Sequence, residues 1–187
     1  MIKSQPVPHK GWHSRGYLPH FDSSETIQFV TFRLADSLPR AVAEALANLS
    51  DNLAETDRRL DQGLGSCWLG QPAIARIVED AMLHFDGERY RLLAWCIMPN
   101  HVHVVVEPIE GHRLGAIVHT WKSFSAKQAN LELGRSGAFW HRDYFDRFVR
   151  DEGHLGRTID YIENNPMKAG LVDCRATWPW SSARFRA

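Results

Sequence analysis

Cysteine is scarce in this chain and odd in number, with Cys67, Cys96 and Cys174 the three present. No two of them have metal-ligand spacing, so neither a disulfide framework nor a cysteine zinc site is expected, and a reducing compartment fits. Long apolar runs are missing as well. Nothing approaches the roughly 20 residues that cross a bilayer, and the opening stretch MIKSQPVPHKGWHSRGYLPH holds no apolar core of the signal-peptide kind. The expectation is a cytoplasmic protein with no membrane partner. Net charge is also absent, since 22 Lys and Arg balance 22 Asp and Glu. That balance hides an asymmetry. Residues 1–20 carry three bases and no acid, residues 21–111 seven bases and 14 acids, and residues 112–187 12 bases and eight acids. Basic ends around an acidic middle can present a local positive surface at zero net charge. A mixed, solvated surface satisfies the same counts.

What is present suits one domain. The 187 residues are 44% hydrophobic and 24% charged, an ordinary globular balance. Residues 1–24 are broken by Pro6, Pro8, Gly11, Gly16 and Pro19 and read as an irregular arm. Ile27–Leu34 is rich in β-branched and aromatic residues and predicts a strand. Ser37 is placed to cap a helix whose apolar repeat runs through Val42, Leu46, Leu49, Leu53 and Leu60. A Gly-rich loop at 61–70 precedes a second helix from Pro72 to about Phe85. Arg89–Met98 and His101–Glu107 predict two strands joined by Pro99-Asn100 as a hairpin. Leu114, Ile117, Val118, Trp121 and Phe124 mark an amphipathic helix, and the end of 138–150 reads as a strand. Asp151 caps a last helix that stops before Pro166, leaving a tail at 167–187. The order β, α, α, β, β, α, β, α predicts a two-layer α+β sandwich, an antiparallel sheet with helices on one face.

Two pairs of residues could carry chemistry. His101 and His103 stand at i and i+2 on a predicted strand, so both imidazoles point to one face while Val102, Val104 and Val106 point to the other. Such a pair can share a divalent ion; two half-exposed histidines are the plainer alternative. A histidine-triad nucleotide hydrolase would need a third histidine where Val105 stands. Tyr161 and Asn165 lie one helical turn apart on one face. A phenol is a weak nucleophile at its usual pKa of about 10, and becomes useful where a metal polarises the phosphate it attacks. The alternative is that Tyr161 packs and Asn165 ends the helix before Pro166.

Taken together, MPNHVHVVVE (98–107) and YIENNPMKAGLV (161–172) resemble the REP-associated tyrosine transposases, relatives of the small transposases of single-strand insertion sequences. RGYLPHF (15–21), FVTFRL (29–34), WKSFSAKQ (121–128) and FWHRDYFDRFVRDEGHL (139–155) extend the resemblance over nearly the whole chain. The resemblance implies a ferredoxin-like sheet bearing the HUH pair, His101 and His103 as metal ligands, Asn165 completing the protein ligand set, and Tyr161 as nucleophile. It implies a monomer that acts on hairpins of repetitive extragenic palindromes. Two imidazoles and an amide oxygen suit Mg²⁺ or Mn²⁺. The reaction expected is metal-dependent nicking and rejoining of single-stranded DNA through a 5′-phosphotyrosine; a non-catalytic DNA-binding domain is the alternative. Arg15, Lys122, Arg142, Arg147, Arg150 and Lys168 are candidate phosphate contacts, and Tyr17, Trp121, Phe139, Trp140, Tyr144 and Phe145 candidate stacking residues.

Overall fold

A computed structural model describes residues 11–14, 19–23, 26–39, 41–42 and 53–186. Its elements run β1 (Gly11–Ser14), β2 (Pro19–Asp22), β3 (Gln28–Arg33), α1 (Leu53–Leu60), α2 (Pro72–Leu83), β4 (Tyr90–Ile97), β5 (His101–Pro108), α3 (Leu114–Glu132), β6 (Phe145–Phe148), α4 (Glu152–Glu163) and the one-turn α5 (Asn165–Lys168). Four strands form one antiparallel sheet in the order β4-β5-β3-β6. The first and third strands of that set sit in the middle and the second and fourth at the rims, which is the ferredoxin-like arrangement. Tight turns explain part of this order. Pro99 and Asn100 leave room only for a hairpin between β4 and β5, closed by Met98 N–H donating to the His101 carbonyl at 2.9 Å.

The strand period of two sorts the sheet's residues into two cores. Val30, Phe32, Leu34, Ile97, Val102, Val104 and Val106 join α2 and α3 residues, among them Ile74, Val78, Met82, Leu114, Ile117, Val118 and Trp121, in the main core. Polar atoms drawn into it are bonded: the Trp121 indole donates to the Tyr90 hydroxyl at 2.8 Å, and that hydroxyl donates to the Met82 carbonyl at 2.7 Å. The opposite face carries Phe29, Ala94, Cys96, Met98 and Val105, covered by Ile162 and by the partly buried Leu155, Ile159 and Tyr161 of α4. The α+β class and the antiparallel sheet are as expected, but the helices are not confined to one face. Residues 155, 159 and 162 form an apolar stripe of their own on α4, and a second apolar sheet face exists to receive it.

Other sequence expectations are also corrected. Phe124 falls outside the buried stripe of α3 and is 50% exposed. The Ser37 hydroxyl donates to the Leu34 carbonyl at 2.8 Å, and Leu46 and Leu49 of the helix expected after it lie outside the described residues. The arm at 1–24 is partly regular, because β1 and β2 pair antiparallel from Gly11 opposite Asp22 to Ser14 opposite Pro19. This ribbon packs against β6: Trp12 meets Phe148 edge-on at 6.3 Å, and His20 is bonded to Asp146. The tail also belongs to the fold. Ile97 N–H donates to the Trp180 carbonyl at 2.8 Å, Ser181 bridges Cys96, and the Trp180 ring lies in the main core. Arg184 and Arg186 tie it down through Glu79 and Glu163 at 3.0 and 2.8 Å. Among the described residues no helix is long and apolar enough to cross a membrane.

Candidate active site

His101 and His103 sit on β5, one of the two central strands, and both are fully buried. The half-exposed alternative is therefore set aside. The tautomer of His101 follows from its neighbours. Asn100 Nδ2 donates to the Leu60 and Leu64 carbonyls, each at 3.0 Å, which turns Asn100 Oδ1 toward His101 Nδ1 at 2.8 Å. An amide oxygen only accepts, so His101 Nδ1 carries its proton and Nε2 keeps a lone pair. His103 Nδ1 lies 2.8 Å from the hydroxyl of Thr31, its partner across the β3–β5 ladder. The two Nε2 atoms then face each other at 3.0 Å.

That spacing suits a shared ion. Two metal–nitrogen bonds of about 2.1 Å at a right angle span about 3 Å. Burial holds both rings neutral: it drives His101 well below the usual imidazole range, aided by His103, and pushes His103 down to about 3. Neutral imidazoles with fixed Nδ1 partners are the form in which histidine binds metal. Among the described residues no group of three His, Cys, Asp or Glu side chains gathers for a metal. A third donor to such an ion would have to come from elsewhere, and Asn165 has the chemistry. It is 1% exposed and its Nδ2 has no hydrogen-bond partner, an amide whose ends interchange by rotation about its last bond.

Tyr161 reaches the same face from α4. The helix starts at Asp151, whose carboxylate accepts from His154 N–H at 2.7 Å, and packs its apolar stripe on the sheet. This places the Tyr161 ring 5.9 Å from the His103 ring and 6.3 Å from Phe29, edge-on to both. Lys168 Nζ stands 4.7 Å from the Tyr161 ring centroid. The phenol donates to Asp57 Oδ2 at 2.6 Å. Burial, with the nearby Asp57 carboxylate, raises the Tyr161 pKa far above its usual value.

Asp57 and Asp61 are the residues that sequence reasoning missed. Burial pushes both carboxyls up to about 6, and Asp61 Oδ1 lies 3.9 Å from His101 Nε2. The Gly-rich loop at 61–70 holds them in place. It supplies the Leu64 carbonyl to Asn100, Leu69 N–H donates to the Pro99 carbonyl at 3.1 Å, and Ser66 donates to Asp36 through its backbone N–H and its hydroxyl. Gly65 is needed there: its φ is +86°, and a Cβ would come within 2.5 Å of the Asp36 carbonyl oxygen.

The expected DNA contacts divide. Arg142, Arg147, Arg150 and Lys168 are exposed. Arg15 and Tyr17 lie outside the described residues. Lys122 is corrected, since its ammonium donates to the carbonyls of His141, Arg142 and Asp143 at 2.9, 3.0 and 3.3 Å and braces that turn. Trp121, Phe139, Trp140 and Tyr144 are buried core rather than stacking surfaces, leaving Phe145 half-buried.

The chain is similar to several known proteins. Residues 74–165 match the family model described as IS200-like transposase. A putative REP-associated tyrosine transposase of Haemophilus influenzae is 29% identical over 103 residues, covering 50% of this chain and 58% of that protein. A REP-associated tyrosine transposase of Escherichia coli is 24% identical over 108 residues, covering 57% of this chain and 63% of that protein. The chain thus spans about six-tenths of the length of these curated relatives. A solved structure of a REP-associated tyrosine transposase bound to a REP hairpin superposes with a TM-score of 0.55 at 20% identity, covering 91% of this chain and 81% of that one. That likeness shows a shared fold.

Proposed function

We propose that this chain, which matches the IS200-like transposases over residues 74–165, is a metal-dependent nickase and strand-joining enzyme for single-stranded hairpin DNA. The observation that carries the reading is the Tyr161 ring standing 5.9 Å from the His103 ring, on the sheet face that bears the paired Nε2 atoms of His101 and His103, with Tyr161 and His103 more than fifty positions apart in the chain. The relatives' names point to REP hairpins as the DNA.

His101, His103 and Asn165 would hold Mg²⁺ or Mn²⁺, which when bound supplies positive charge to the scissile phosphate. The chain's own residues do the rest. Asn100 and Thr31 orient the two imidazoles. The stripe on α4 holds the Tyr161 ring, and its Oη attacks phosphorus to give a 5′-phosphotyrosine and a free 3′-OH. The ester keeps the energy of the broken bond, so a 3′-OH can reverse the step without ATP. Arg142, Arg147, Arg150 and Lys168 would meet backbone phosphates. The whole chain acts as one domain, with β1–β2 as its arm and 167–187 as its tail, and works as a monomer in the cytoplasm. A histidine-triad hydrolase gains nothing here, because Val105, buried among apolar side chains, stands where that chemistry needs its third histidine.

The test is covalent trapping. Labelled hairpin oligonucleotides from palindromic repeats are mixed with the protein and Mn²⁺, then run on a denaturing gel. An adduct that needs metal and vanishes in Tyr161→Phe is expected. Tight hairpin binding without any adduct would replace this reading by a non-catalytic DNA-binding one.

A further inference from the structure

The proposed reaction leaves one proton unassigned. A phenol that attacks phosphorus must lose its hydrogen, and burial keeps Tyr161 protonated far above neutral pH. The group beside it is Asp57, 104 positions away in sequence and 2.6 Å from the phenolic oxygen. Asp57 is 2% exposed, its Oδ1 has no hydrogen-bond partner, and Oδ2 already accepts from Tyr161. An unsolvated carboxylate half-satisfied by one phenol is a costly arrangement for packing alone.

We propose that Asp57 is the proton acceptor for Tyr161, a catalytic base supplied by α1. This rests on the tyrosine-nickase reading above. As the Tyr161 Oη–P bond forms and the P–O3′ bond breaks, the phenolic proton moves to Asp57 Oδ2, and the departing 3′ oxygen takes a proton from solvent water. In the joining direction the incoming 3′-OH gives up its proton to water, and Asp57 returns the stored proton to Tyr161. The environment supports this assignment. Burial raises the Asp57 carboxyl to about 6 against the opposing hydrogen bond from Tyr161, bringing the base near working pH. The charges facing the pair are Asp61, one turn along, and Lys168, over the Tyr161 ring. The loop bonds from Leu60 and Leu64 to Asn100 fix α1 against the histidine strand, so base and imidazoles are held by one brace.

The experiment is single-turnover cleavage of the hairpin with Mn²⁺ in Asp57→Asn and in the native chain, each also made with fluorinated tyrosines of graded acidity at Tyr161. Asp57→Asn should cut cleavage about 100-fold or more, the loss expected for a missing general base, with hairpin Kd unchanged. In the native chain the rate should change little across the fluorotyrosine series, because the proton leaves as the bond forms. In Asp57→Asn the rate should climb steeply with phenol acidity, since an ionised phenol needs no base. Asp57→Asn cleaving at the native rate or faster overturns the proposal and makes the bond a resting clasp. A steep fluorotyrosine dependence in the native chain overturns it too, and needs no change at Asp57 should Asp57→Asn fail to fold. A native chain that forms no adduct at all sinks the underlying reading, a separate result.

Discussion

Lys168 holds its ammonium 4.7 Å from the centre of the Tyr161 ring while remaining exposed. A cation over an aromatic face is held there by the ring's quadrupole, and from that position it can meet a phosphate brought to the tyrosine. Lys168→Gln should weaken hairpin binding severalfold and lower the slope of log K against log salt by about one. Fluorescence anisotropy at a series of KCl concentrations reads both; an unchanged slope would remove Lys168 from the interface.

His20 gives a pH prediction. Burial alone would lower its pKa, but Asp143 and Asp146 outweigh it and raise it from 6.5 to about 9. The native state then keeps a proton that the unfolded chain releases above pH 6.5, so stability is full below pH 6.5 and is lost as pH rises through about 9. Urea unfolding at pH 6, 7.5 and 9.5 should show this loss, and His20→Gln should flatten the trend.

Asn165→Ala separates ligand from packing. Its amide nitrogen is buried and without a hydrogen-bond partner, so deleting the amide removes an unsatisfied group and should cost the metal-free protein less than about 1 kcal/mol. Mn²⁺ affinity, followed by electron paramagnetic resonance, should fall more than tenfold if the amide is a ligand, an order set by the strength of one polar bond. Equal Mn²⁺ affinity would leave His101 and His103 without their proposed third partner.

Lys122→Met should act on stability alone. Three carbonyls of the 141–143 turn lose a charged donor, at a cost of roughly 1.5–3 kcal/mol. Hairpin affinity should not change once the melting temperature is allowed for; a selective loss of binding would return Lys122 to the DNA surface.

Much of this was readable from local pattern. Alternation in HVHVVVE put the histidines on one face and the valines on the other, and the hairpin at Pro99-Asn100 followed from turn chemistry. The helix bearing Tyr161 was announced by Asp151. The misses have a common cause in long-range pairing. Nothing local tells Lys122 that its ammonium will find the 141–143 turn, or tells Trp180 that it will pack beside β4. Asp57 is the exception that a stricter reading could have found. It stands between Leu53 and Leu60 at i, i+4 and i+7, a carboxylate inside the apolar stripe of a helix. A charge there is buried and needs a partner, and a tyrosine of unknown partner was available.

The covering of both sheet rims, by the 180–182 segment beside β4 and by the β1–β2 ribbon beside β6, reaches further than packing. A bare strand edge is an open line on which another chain can zip. With those stretches occupied, crowded copies of this protein meet fewer places to add a strand, which favours single molecules. Fraying, too, must begin at the rims and travel inward. Amide exchange should therefore be slowest at His103 and Val104, in the middle of β5, and the paired imidazoles should be among the last groups to lose their alignment as the protein is warmed.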